Sequence, residues 1–543
     1  MGVKGGWNLF KSIEPVSLID WSTQTISSGP LHSLGPRVGV DASGWMFAAK
    51  YHSGQTKNAA QASLFKRLGR LFHLPIIPIF VFDGPGRPVD KRKKSVSRTT
   101  DWLTTDFKRL LDGFGFSYWD APGEAEAELA MLSIMDRIDA VLSEDFDTMI
   151  FGARQVIRIK DESDSTYIIE VHEQGSQFSR NDLILIALLA GGDYDDGIYG
   201  CGIQTAVDIA STGISNQLFD VLAASRPQDF SDIAVTWRRK LCTMLENQDS
   251  NSRCFHHRSL VFHILPDFPN HLVLTQYVHP LTSQSNGGIN LPAPLLPHQP
   301  DLPGLAQLCE ELFIWGNSMG IIQNFCNHVF PGLAIWELLQ DLCERRGLSQ
   351  TNLSSHALIS TVCPVRANQR KRAQSEAFVS LLIPSAIVFQ ITSAINGRND
   401  NDITKNKLDN FMKKRNIRAW LSRVLMLHAR PNILDCASHQ ILKTVRRRKI
   451  SIHTKGIGQS RATESTTSNF ANIASVRQKP ALSKRGRSLS IIEISSDGSG
   501  DEIPEPPSSK RRKQASSPKY RIETHHSESG NVLELCTDSE NGF

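Results

Sequence analysis

The strongest limit on the fold is a repeated pairing of a short apolar run with an acidic residue directly after it. Val38-Gly39-Val40 runs into Asp41, and Ile79-Phe80-Val81-Phe82 runs into Asp83. A short run that is apolar at every position, not at alternate ones, suits a strand covered on both faces, as in a parallel sheet. The pattern predicts strands over 37–40, 76–82 and 140–142. Helical spacing predicts helices over 59–72, 101–114 and 125–135, and an apolar helix over 181–190. Strands and helices in this alternation predict an α/β domain around a parallel sheet.

The acids then acquire a meaning. Parallel strands carry their carboxyl ends to one edge, where ligands of open α/β sheets bind. Asp145 and Asp147 follow the 140–142 strand at a spacing of two, which on extended backbone points both carboxylates to one side. Glu124 and Glu126 follow Ala121-Pro122-Gly123 at a predicted helix start, where the helix dipole tolerates negative charge. Asp193 sits in Gly191-Gly192-Asp193 after the apolar helix. Taken singly, these are ordinary helix-start, loop and turn residues. Taken together, seven converging carboxylates repel one another unless cations neutralise them. An all-oxygen set lacking His and Cys suits Mg²⁺, with Mn²⁺ as a substitute. Two such ions about 4 Å apart can activate a water and stabilise the leaving oxygen of a phosphodiester.

Six segments in order resemble the flap endonuclease/XPG family of structure-specific nucleases: Met1-Gly2-Val3-Lys4-Gly5, Val40-Asp41-Ala42-Ser43, Val81-Phe82-Asp83-Gly84, Gly123-Glu124-Ala125-Glu126-Ala127, Ser143-Glu144-Asp145-Phe146-Asp147 and Gly191-Gly192-Asp193-Tyr194. They span about the first 210 residues. Trp7 through Pro15 and the 268–280 stretch look most like GEN-type Holliday junction resolvases, particularly fungal ones. The resemblance implies a PIN-like (resolvase-like) parallel sheet with flanking helices. It also implies that Asp41, Asp83, Glu124 and Glu126 bind one metal ion, and that Asp145, Asp147 and Asp193, with Glu126, bind the other. Gly2 is implied at the DNA.

Basic residues follow Asp83 closely. Six of the twelve residues 87–98 are Lys or Arg and one is acidic. Such a run reads either as a solvated surface helix or as a positive wall that guides a phosphate backbone. Lys91 and Arg98 match, in spacing, a family pair at the base of a helical arch that contacts the scissile phosphate. Only about two dozen residues join Arg98 to Glu124, fewer than flap-specific members of this family use, so the resemblance implies a junction or bubble over a threaded flap. Gly197-Ile198-Tyr199-Gly200-Cys201-Gly202-Ile203 precedes a helix starting near Gln204, and its glycines can turn backbone N–H groups to a phosphate. It resembles a helix–two-turn–helix that grips duplex DNA through Gly200 and Gly202, commonly with K⁺. Gln204 stands where relatives often carry a basic residue, which predicts a weaker grip.

Composition completes the outline. All nine tryptophans lie at or before Trp420, and residues 436–543 hold three aromatics and 19 serines, too little apolar surface to offset the entropy of ordering. The expected organisation is a nuclease core over 1–215, a helical extension over 216–350, a small chromodomain-like module over 355–435 and a disordered basic, Ser-rich tail over 436–543. Nine scattered cysteines without a Cys-x-x-Cys pair suit a reduced compartment. The longest apolar runs fall short of a bilayer span, so no membrane is expected. Arg446-Arg447-Arg448-Lys449 and Lys510-Arg511-Arg512-Lys513 read as nuclear localisation signals or non-specific DNA contacts. Ile491-Ile492-Glu493-Ile494 and Val532-Leu533-Glu534-Leu535, each with acidic flanks, resemble SUMO-interacting motifs. The expected activity is Mg²⁺-dependent hydrolysis of branched double-stranded DNA, in the manner of a nuclear Holliday junction resolvase, with a dimer on the junction as one arrangement. The competing expectations are a 5′ flap endonuclease or exonuclease using the same residues, and a non-catalytic DNA-binding adaptor working through its tail.

Overall fold

The computed structural model describes residues 2–433 apart from 11–13, 29–34, 52–56, 89, 92–93, 96–100, 163–166, 175–177, 225–229, 247–254, 286–297, 348–357, 366–368 and 370–371. Arg98 and the whole 436–543 tail, with its basic clusters and paired apolar quartets, lie outside the described residues.

Twelve strands are present among those residues: β1 (Val16–Ser17), β2 (Arg37–Asp41), β3 (Ile77–Phe82), β4 (Asp90–Lys91), β5 (Lys94–Ser95), β6 (Ser117–Asp120), β7 (Ala140–Leu142), β8 (Gln155–Glu162), β9 (Tyr167–Glu173), β10 (Ile359–Val362), β11 (Glu376–Leu382) and β12 (Asn416–Ser422). Seven form one sheet in the order β1-β9-β8-β7-β2-β3-β6. The five strands β8, β7, β2, β3 and β6 run parallel, while β9 and β1 extend the sheet antiparallel. All six residues of β3 are buried, as a continuous apolar run in mid-sheet requires. Pro78 is tolerated there because β3 pairs with β6 only from Ile79 onward, so no ladder bond on that side needs its missing N–H.

Helices cover both faces. Ala59–Phe72 buries Leu64, Phe65 and Leu68 completely, and Arg180–Ala190 is buried from Leu183 to Leu189. A capping box starts the second of these. The Ser179 side chain accepts from the Asp182 N–H, and Asp182 accepts from the Ser179 N–H. The described residues of 215–345 are mainly helical, with Leu302–Leu312, Ser318–His328 and Phe330–Arg345 closing one face of the sheet.

The three-stranded sheet β10-β11-β12 and the helices Ser385–Ala394, Asp402–Lys414 and Arg423–Ala429 follow. Its buried side chains, such as Val379 and Leu421, belong to the same apolar cluster as Leu68 and Phe330. The β-branched residues Ile387, Val388, Ile391 and Thr392 lie in the helix Ser385–Ala394. Pro384 precedes the first turn, and Ile387, Val388 and Ile391 fall on one buried helical face. The basic run after Asp83 departs from a surface helix, since Asp90–Lys91 and Lys94–Ser95 form the two-residue strands of an antiparallel hairpin, β4 and β5.

Candidate active site

Parallel pairing of β2, β3, β6 and β7 sends their carboxyl ends to one edge of the sheet, and the predicted acids sit on that edge. Asp41 is the last residue of β2 and Asp83 follows β3. Glu124 is the N-cap of the helix Ala125–Ile134, with Glu126 in its first turn. Asp145 follows β7, and Asp147 opens the short helix Asp147–Ile150. The backbone between the last two is therefore not extended, and the side chains are joined by another device: the Asp147 N–H donates to Asp145 Oδ1 at 3.0 Å. Six of the seven acids, Asp41, Glu124, Glu126, Asp145, Asp147 and Asp193, are at most 7% exposed, and Asp83 is half-buried.

Neighbouring donors hold several of these groups. Asp41 Oδ1 accepts from the Ser43 N–H at 2.9 Å and the Gly44 N–H at 3.3 Å. Asp83 accepts from the Ser43 hydroxyl at 2.8 Å and from the Ala125 N–H at 2.9 Å, so one helix start and one strand end share a carboxylate. Arg87 Nη1 lies 3.4 Å from Asp83 Oδ2. Glu124 accepts from the Tyr194 hydroxyl on one oxygen and pairs with the Lys91 ammonium on the other. That ammonium is 3.7 Å from Asp193. Asp193 also accepts from the Gly2 N–H at 3.1 Å. Ser43 and Tyr194 stood in the motifs and Tyr277 in the 268–280 stretch without a role, because a lone hydroxyl carries no pattern of its own.

Gly2 approaches the acids closely. Its φ is +76°, and a Cβ there would lie 2.3 Å from Asp147 Oδ1 and 2.9 Å from Asp145 Oδ1. Gly2→Ala is expected to displace the Asp145–Asp147 turn and cut nuclease activity by roughly tenfold or more, read by initial cleavage rates in Mg²⁺. Gly200 and Gly202 lie elsewhere, before the helix Ile203–Ala210, with Gly202 as its N-cap and open space around it.

The electrostatics are those of an anionic site short of positive charge. Burial and the Asp83 carboxylate push the Asp41 acid up to about 7. Burial raises Asp145, and burial with neighbouring acids raises Glu126 and Asp147 well above the carboxylate range. Burial opposes the Lys91 charge, but Glu126 and Glu124 outweigh it and hold the ammonium above its ordinary value. Glu126 Oε2 and both Asp147 side-chain oxygens are buried without a hydrogen-bond partner. Among the described residues no three of these side chains form a ready-made metal cage. The Lys91 ammonium lies between Glu124 and Asp193, where it offsets part of their charge. Hard oxygen donors, orphaned buried oxygens and a stand-in ammonium together fit a site for hard divalent cations.

A cavity of about 820 Å³ opens beside Asp41 and Asp145. Its wall carries Arg67, Arg70 and Lys160 together with the acids Glu144, Asp161 and Glu162. It also carries Phe47 and Tyr51, which stack at 6.1 Å and are 67% and 76% exposed.

Comparison with known proteins follows this geometry. Residues 115–193 match the XPG I-region. Over 230 residues the chain is 26% identical to the DNA excision repair protein ERCC-5 of Mus musculus, covering 41% of this chain and 18% of that protein. Over 260 residues it is 28% identical to flap endonuclease 1 of Zea mays, covering 38% of this chain and 66% of the relative. The chain thus spans less than two thirds of the length of the curated relatives compared. Among solved structures, the Holliday junction-resolving enzyme GEN1 in complex with product DNA and Mg²⁺ is 27% identical with a TM-score of 0.60, covering 81% of this chain and 99% of that one. The junction-resolving enzyme GEN-1 binding potassium gives a TM-score of 0.61 at 26% identity over the same shares.

Proposed function

We propose that the chain is an XPG-type nuclease, a divalent-cation-dependent endonuclease that hydrolyses phosphodiester bonds in branched DNA, with the Holliday junction as its preferred substrate. The observation that carries the reading is the convergence of seven carboxylates at one edge of a parallel sheet, inside a fold that matches nearly the whole GEN1 chain. Asp41, Asp83, Glu124 and Glu126 would hold one Mg²⁺, and Asp145, Asp147 and Asp193, with Glu126, a second; Mn²⁺ has the same ligand preference. When bound, such ions supply Lewis acidity to the attacking water and to the leaving oxygen.

The chain's own residues do the rest. Ser43 and the Ala125 N–H orient Asp83, and the Gly2 N–H orients Asp193. Lys91 and Arg98 are assigned to the scissile phosphate, which Lys91 reaches by releasing Glu124. The exposed Phe47–Tyr51 stack suits a base at the branch point, because every base presents a π-face. Gly200 and Gly202 turn backbone toward a duplex phosphate, with K⁺ as the companion ion.

The finer assignments belong to the same proposal. The core spans 1–215, its helical extension 216–350, the chromodomain-like module 355–435 and the tail 436–543. The tail's basic clusters direct the chain to the nucleus, its apolar quartets take SUMO or SUMOylated proteins, and two copies act on one junction. No described helix is long and apolar enough to cross a membrane. The identity to flap endonuclease 1 supports a second reading, a 5′ flap endonuclease. Nicked flap, splayed-arm and Holliday junction substrates, each incubated with and without Mg²⁺, separate the two. Paired symmetric nicks across the junction are expected, whereas cutting confined to the flap would sink the resolvase assignment. Complete inactivity on all three would leave the adaptor.

A further inference from the structure

Tyr277 reaches the acidic cluster from a distant part of the chain. It lies on the helix His271–Val278, is 1% exposed, and its buried hydroxyl faces the Asp193 backbone. That hydroxyl sits directly on the turn carrying Asp193, since a Cβ added to Gly192 would meet its oxygen at 2.2 Å. The ring packs edge-on against Tyr194 at 4.7 Å, and Tyr194 in turn donates to Glu124. Phe151, following the short helix that Asp147 opens, backs the ring at 6.2 Å. One side chain thus contacts elements that carry Asp193, Glu124 and Asp147. Burial, with the negative charges of Asp147 and Asp193, holds the phenol in its neutral, proton-bearing form.

We propose that Tyr277 is a positioning residue for the carboxylate cluster: its hydroxyl fixes the Gly191–Asp193 turn, and its ring holds Tyr194 against Glu124. This rests on the reading of the cluster as a divalent-cation site. A buried polar group costs free energy unless it is used, and this one is aimed at the turn whose acid must be placed. Residues that orient ligands without touching the ion change affinity by about 10- to 100-fold. The hydroxyl acts on the turn alone, so Tyr277→Phe belongs at the lower end of that range.

The test is calorimetric titration of the full chain with Mn²⁺ in the absence of DNA, paired with the Mg²⁺ dependence of cleavage. Tyr277→Phe is expected to weaken Mn²⁺ binding and raise half-saturating Mg²⁺ by about tenfold. Its thermal midpoint in EDTA and its turnover at saturating Mg²⁺ should stay near wild type, a split that a purely structural role would not produce. Gly192→Ala supplies the second arm. Its Cβ strikes the hydroxyl oxygen at 2.2 Å but lies 3.5 Å from Cζ, so adding Tyr277→Phe relieves the collision. Gly192→Ala alone should bind Mn²⁺ more weakly than the Gly192→Ala, Tyr277→Phe double variant. Unchanged Mn²⁺ affinity in Tyr277→Phe, or a double variant weaker than Gly192→Ala, overturns the assignment. A wild-type chain that takes up no Mn²⁺ would instead overturn the cation-site reading beneath it.

Discussion

Replacing Asp145 and Asp147 together by asparagine should abolish cleavage of branched DNA, a loss of at least ~10³-fold, while making the cation-free chain more stable. Both effects have one cause. The two acids are almost fully buried, and the Asp147 oxygens lack hydrogen-bond partners. Burial raises both, the Asp145 charge raises Asp147 further, and the Asp193 charge pushes each in the same direction. Asparagine keeps the shape and removes the charge, so the folded state no longer confines mutually repelling carboxylates. A gain of about 1–3 kcal/mol is the expected scale.

The sign with pH follows. A carboxyl whose pKa is raised on folding contributes stability that is fully present below its unfolded value and lost as pH climbs through the folded value. For Asp41 that window runs from 3.8 to about 7, and the elevated Asp147 and Glu126 extend it upward. Thermal unfolding in EDTA should therefore show wild type losing stability from acid to neutral pH, and the double variant losing less. A variant that cleaves normally in Mg²⁺ would remove these acids from the mechanism. One that is inactive but no more stable than wild type in EDTA would show that repulsion does not govern the cation-free site.

The sheet and its acids were legible for different reasons. β2 and β3 announced themselves because they are covered on both faces, so 38–40 and 77–82 are unbroken by polar residues and the acid that follows stands out. β8 and β9 were missed. Gln155-Val156-Ile157-Arg158-Ile159-Lys160-Asp161-Glu162 is buried only at Val156 and Ile157, and its exposed, charged end weakens any strand pattern. The pairing of Asp145 with Asp147 was anticipated from spacing, yet a hydrogen-bonded turn achieves it, not the pleat of a strand. Lys91 was placed near the site by its spacing, but its pairing with Glu124 and the roles of Tyr194 and Tyr277 could not be read. They depend on how a hairpin, a turn and a distant helix meet, and that is a property of packing, not of local pattern.

Lys91→Ala should move two readouts together where the asparagine variant moves them apart: cleavage falls by about 10²-fold, and the cation-free chain loses stability as well. Lys91 is the ammonium that the cluster holds when it has no other cation. It pairs with Glu124 and lies 3.7 Å from Asp193, with Tyr194's ring 5.9 Å away. Its folded pKa is raised, so its contribution is complete at every pH below its unfolded value of 10.5, including assay conditions near neutrality. Removing it leaves buried acids with less compensation, which costs more than the exposed ion pairs elsewhere on the surface would. Divalent cations should then stabilise Lys91→Ala more than wild type, because they take over a neutralising role that wild type already partly fills. Thermal midpoints in EDTA and in Mg²⁺ measure that difference directly. If Mg²⁺ raises both midpoints equally, Lys91 does not compete for the cation's place, and its ion pair with Glu124 is a structural contact apart from the chemistry.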